Sequence, residues 1–213
     1  FSGFDETIRP MVDKLDRLCS GAAAETPSAG AEKKTVITAD ARNALRQKVN
    51  ITDELSFAWD LLQAGELTQE QYSEVVQDLT DISSNANDKG PVSMLHAIES
   101  RGFGNLDRIL VFASRKGETP IILLSGFEFT DEAVTLLPIE FMIRQGVLPF
   151  DLLGPDALVV IQNPYDRPLR KRIEQLIGRS CHFFLTPPHE FNAAIGRLQK
   201  RLAEKAAKKE EAP

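Results

Sequence analysis

The sequence predicts an α+β protein: an N-terminal helical bundle followed by a small mixed α/β sheet subdomain covered by helices. Two patterns carry this reading. Between Thr38 and Gly117, apolar residues recur at helical spacing between glycine stops, as amphipathic helices that pack on one another require. From Val147 onward, short apolar runs alternate with polar, helix-periodic stretches, the order expected when strands are joined through helices. A third observation sets the scale: 213 residues of ordinary apolar and charged content are enough to bury a core.

Taken in order, residues 1–19 read as a satellite helix, with Ile8, Met11, Val12, Leu15 and Leu18 at helical spacing. Residues 20–37 read as a flexible linker, rich in Ala, Gly, Ser and Glu, a composition that buries no core. Residues 38–117 form the helical subdomain. Thr38 or Asp40 caps a helix running to about Lys48, and Thr52-Asp53-Glu54 starts the next. That second helix carries Leu55, Phe57, Trp59, Leu61 and Leu62 and stops at Ala64-Gly65. Thr68 opens another, with Glu70 or Gln71 as its capping-box partner and Tyr72, Val75, Val76 and Leu79 on one face. After a polar loop from Ser83 to Gly90, Met94, Leu95 and Ile98 mark a helix ended at Arg101-Gly102. Leu106, Ile109, Leu110 and Ala113 mark one that closes near Lys116-Gly117. The helix–Gly–helix unit thus occurs twice, around Gly65 and around Gly102, and neither hairpin is large enough to be stable alone.

Residues 118–204 form the α/β part and 205–213 a charged tail. Ile121–Leu124 reads as a short, buried, extended run. Thr130 caps a short helix, and Pro138 suits a helix first turn. Val147–Phe150 and Leu158–Gln162 read as neighbouring core strands separated by a Gly154-Pro155-Asp156 loop. Asp166 caps a helix from Pro168 to Ile177, Gly178 ends it, His182–Leu185 is a strand, and Thr186-Pro187-Pro188 begins the last helix with Phe191, Ile195, Leu198 and Leu202.

Several function classes fall away. The net charge of −6 argues against a nucleic-acid partner held by its phosphates. No apolar run approaches the roughly 20 residues of a membrane helix, so no direct membrane insertion is expected. Phe1–Thr7 holds two acids and no basic residue, so no signal peptide is read there. The start at Phe suggests that upstream sequence was removed. Cys19 and Cys181 read as reduced thiols of a cytoplasmic protein. A phosphate-cradling G-x-x-x-x-G-K-[ST] loop is missing, since Gly30–Thr35 lacks the second glycine. His96, His182 and His189 have no ligand-like spacing, and no G-x-S-x-G motif occurs. No catalytic residue, cofactor or metal is therefore expected, and the protein is read as not an enzyme.

The remaining polar signal is the basic cluster Arg167, Arg170, Lys171 and Arg172. It reads either as a solvated face with local pairs such as Arg170–Glu174, or as a partner-binding patch for an acidic protein surface or a phosphate.

The order Leu136-Leu137-Pro138, Gly146-Val147-Leu148-Pro149-Phe150, Ala157–Gln162 and Asn163-Pro164-Tyr165-Asp166, followed by a basic helix, a strand and a last helix, resembles the N-terminal domain of type II secretion and type IV pilus assembly ATPases. The resemblance runs best from Leu136 to Leu198, more weakly from Thr52 to Pro120, and not before. It implies an adaptor that docks to a protein partner, a secretion-platform protein or a secretion ATPase, and is recruited through it to the inner membrane. The ATP-hydrolysing engine is not in this sequence. Part of that family binds cyclic di-GMP through two stretches, each opening with Arg-Leu-Gly and ending in Gln. Here the opening positions are Ser56-Phe57-Ala58 and Ser93-Met94-Leu95, and the closing ones Leu79 and Lys116. The scaffold remains without the ligand-reading side chains, so cyclic di-GMP is not expected to bind; the alternative reading is a second-messenger receptor domain of the same fold with an altered binding site.

Overall fold

A computed structural model describes residues 51–84 and 91–210, with side chains through Glu204. The expected satellite helix, the linker, the helix ending near Lys48, part of the Ser83–Gly90 loop and the tail lie outside the described residues or their side chains.

Four helices build the first half: α1 (Ile51–Gln63), α2 (Gln69–Ser84), α3 (Met94–Ser100) and α4 (Leu106–Lys116). The punctuation follows the sequence. Gly65 and Gly102 adopt φ of 71° and 68°, a left-handed conformation that costs a side chain-bearing residue about 1 kcal/mol or more. Thr68 and Gln71 form a reciprocal capping box: the Thr68 amide donates to Gln71 Oε1 at 2.9 Å and the Gln71 amide to Thr68 Oγ1 at 3.2 Å. Phe57, Leu61, Val75, Leu79, Leu95, Ile98 and Ile109 are fully buried in one cluster, each contributing roughly 1.5–3 kcal/mol relative to exposure. Trp59 departs from its expected company and stands half exposed.

The second half departs from expectation at its start. Ile121–Leu124 is not a buried strand: Ile121 makes a single parallel bridge to Leu185, and a 3-10 turn then takes Leu124–Gly126. Ile121 and Leu123 are exposed and only Leu124 is buried. Two backbone bonds, Ile122 amide to Leu185 carbonyl and Leu185 amide to Pro120 carbonyl, hold the segment at the sheet edge before the turn leads it away.

Helices α5 (Asp131–Val134) and α6 (Ile139–Gln145) precede the sheet. Strands β1 (Val147–Leu153) and β2 (Asp156–Ile161) are antiparallel, and β3 (Cys181–Leu185) joins β2 in parallel through α7 (Arg167–Ile177). The sheet is therefore mixed, in the order β1-β2-β3, and α8 (Pro188–Glu210) closes the fold. Register shifts between Pro149 and Asp151. Proline lacks the donor a ladder needs, and an edge strand with a bulge accommodates it. The Phe150 carbonyl freed there accepts the Thr130 amide at 3.2 Å. Phe141, Leu148, Phe150, Val159, Val160, Ile173, Phe191 and Leu198 fill the second core.

Candidate functional site

The turn Asn163–Asp166, between β2 and α7, is where the helical half and the α/β half meet. Each residue of it has a separate task. Asn163 turns its side-chain carbonyl to the Tyr165 amide at 2.9 Å and donates its amide group to Glu54 Oε1 at 2.8 Å. Pro164 lies against Gly117, where an added Cβ would come within 2.6 Å of the proline ring. Tyr165 meets Phe57 edge-on with ring centroids 5.0 Å apart. Asp166 accepts the Leu169 amide at 2.7 Å and caps α7.

Glu54 was not legible as a site residue, since an acid in a helix first turn reads as solvated. Here α1 carries it inward, and its other oxygen accepts the Met94 amide at 2.6 Å, so it caps α3 from a distance. Burial pushes its carboxyl up to about 7, against the pull of those two hydrogen bonds, with Asp166 and Asp53 adding repulsion. Burial also raises Asp166.

Beside this turn, Lys116, Glu118, Tyr165, Arg167 and Arg170 line a cleft of about 390 Å³. Its cations are largely committed. Lys116 Nζ pairs with Asp60 at 2.6 Å and lies 5.8 Å from the Tyr165 ring centroid. Arg170 donates to Thr119 Oγ1 at 2.6 Å and to the Pro164 carbonyl at 2.7 Å, with its guanidinium 5.2 Å from the Phe183 ring centroid. Burial, then the neighbouring Arg167 charge, pulls the Arg170 pKa down.

The four expected basic residues therefore do not form one patch. Arg167 and Lys171 are exposed on α7, whereas Arg170 and Arg172 are half-buried, Arg172 stacking 5.3 Å from the Phe141 ring centroid. Glu174 does not answer Arg170; it accepts the Cys181 amide at 3.4 Å. The split follows helix geometry, because residues at consecutive positions point in different directions.

Two further reactive groups, Cys181 and His96, are subdued. Burial raises the Cys181 thiol to about 12 and lowers His96 to about 4, where the ring meets Asn192 Oδ1 at 3.1 Å. Among the described residues no His, Cys, Asp and Glu grouping is placed to hold a metal. The positions set against the Arg-Leu-Gly triplets are largely core: Phe57, Ala58, Met94 and Leu95 are fully buried. Ser56 Oγ donates back to the Thr52 carbonyl at 2.9 Å.

Comparison with known proteins places a family model on the second half. Residues 118–205 match the MshEN domain. A structure of MshE with cdg shares 18% identity at a TM-score of 0.45, over 66% of this chain and 96% of that one. The N-terminal domain of XpsE shares 16% identity at a TM-score of 0.41, over 71% and 98%. No curated protein matches the chain.

Proposed function

We propose that this chain, whose residues 118–205 match the MshEN domain and which resembles the N-terminal domains of type II secretion and type IV pilus ATPases, is a non-catalytic docking module for a component of such a machine. The observation that carries the reading is that match, since its extent coincides with the α/β half that presents α7. Arg167 and Lys171 are the partner-facing cations of the proposal, and Arg170 and Arg172 hold the helix that displays them. The partner is a cytoplasmic protein surface rich in acids, and the chain works in the cytoplasm, reaching the membrane through that partner. Among the described residues, no helix is long and apolar enough to cross a membrane.

The test is calorimetry of the chain against the cytoplasmic domain of the secretion-platform protein from the same genome. A saturable complex weakened by Arg167→Glu and Lys171→Glu supports docking through α7. A complex indifferent to both moves docking to another face, and no complex removes the proposal. Cyclic di-GMP belongs in the same experiment. A flat trace is expected, because Ser56-Phe57-Ala58 and Ser93-Met94-Leu95 hold neither the Arg nor the Gly of the resembled triplets.

A further inference from the structure

Trp59 is the only tryptophan of the chain, and it stands 51% exposed on α1. Leu55 and Leu62 share its helix face at helical spacing, both partly buried. Tyr72 of α2 meets its ring edge-on at 6.0 Å. Tryptophan is the side chain with the most to gain from burial, and a half-exposed one amid partly buried apolar neighbours is the surface pattern of an interface anchor.

The hairpin's own charge is one-sided. From Ile51 to Ser84 the chain holds eight acids and no Lys, Arg or His. Neighbouring helices answer part of this: Arg101 reaches Glu74 and Asp78, Lys116 reaches Asp60, and Arg108 reaches Glu66. Glu70 and Asp81, exposed on α2, meet no cation among the described residues. Glu70 and Asp81 thus give α2, the helix that carries Tyr72, an acidic face, and such a face draws cations and speeds their encounter.

We propose that this hairpin docks a basic, amphipathic helical segment of a partner protein, with Trp59 as its apolar anchor and the exposed acids Glu70 and Asp81 of α2 as its rim. The face is distinct from α7, so it stands whether or not α7 binds anything.

The experiment uses the full chain and two synthetic peptides of equal length, one alternating Lys with Leu at helical spacing, the other Glu with Leu. Trp59 emission reports on the patch alone. The basic peptide is expected to give a saturable blue shift that weakens with added salt, and the acidic one none. With labelled basic peptide, Trp59→Ala should bind roughly thirtyfold more weakly at unchanged circular dichroism, and the double charge reversal Glu70→Lys, Asp81→Lys about tenfold more weakly. Three results overturn the proposal. One is emission already blue in the free chain and unmoved by peptide, which means the ring is covered by this chain or a second copy. Another is full-strength binding to Trp59→Ala, which means charge attraction only. The last is equal binding of the acidic peptide.

Discussion

Asn163 donates a 2.8 Å hydrogen bond to Glu54 from 109 residues further along the chain, and this contact ties the helical half to the α/β half through a buried carboxyl. With its folded pKa raised to about 7 from an ordinary 4.5, Glu54 holds a proton more tightly folded than unfolded. Its effect on stability is most favourable below about pH 4.5 and is lost as pH rises toward and through 7. Urea midpoints measured from pH 5 to pH 8 should therefore fall on this account. Glu54→Gln keeps an acceptor and removes the titration, so its profile should be flatter by an amount on the order of 2–3 kcal/mol across that window. Parallel profiles for the two proteins would rule out the coupling.

Gly117→Ala and Gly102→Ala should both destabilise, for different reasons. At Gly117 φ is an ordinary −88°, but the new methyl meets Pro164 at 2.6 Å and the Ala113 carbonyl at 2.9 Å, an overpacking that costs about 1–3 kcal/mol. At Gly102 the methyl enters open space at φ 68°, and the cost is backbone strain of about 1 kcal/mol. Chemical denaturation should rank Gly117→Ala as the worse, and the reverse order would mean the Pro164 contact yields easily.

Arg170 and Arg167 should separate stability from binding. Arg170→Ala removes two hydrogen bonds and a ring contact, and charged hydrogen bonds of this kind are worth about 1.5–3 kcal/mol. Arg167→Ala, on the exposed face, should shift the thermal midpoint little. A midpoint drop for Arg167→Ala as large as that for Arg170→Ala would contradict the placement of the two side chains.

Cys181 should be nearly inert. In a Cys19→Ser background, its alkylation by iodoacetamide at pH 8 is expected to run at least about tenfold slower than that of free cysteine, because thiolate is the nucleophile and burial holds the thiol at about 12. Reaction at the free-thiol rate would show the site opens in solution.

Local chemistry was readable where a single residue decides a backbone outcome. The Thr68–Gln71 box, the Asp166 cap and the stops at Gly65, Gly102 and Gly178 all appear as their sequence context implies. Ile121–Leu124 misled because a short apolar run carries no periodicity to distinguish a strand from an edge bridge followed by a turn. The buried role of Glu54 and the partners of Arg170 were not readable for another reason. Their partners, Met94 and Asn163 in one case and Thr119 in the other, are 40, 109 and 51 residues away, and one sequence gives no pairing information at that range. The basic cluster looked like a unit because its members are adjacent in the chain, while the helix turns two of them inward.

Leu185 ends β3, pairs with Ile161 in the sheet, and is also fully buried in the helical cluster with Phe57 and Ile109. Its backbone thus belongs to the sheet while its side chain belongs to the helical core. Fraying the end of β3 therefore opens the helical core as well, so loss of the last ladder pair and loss of helical packing are one event.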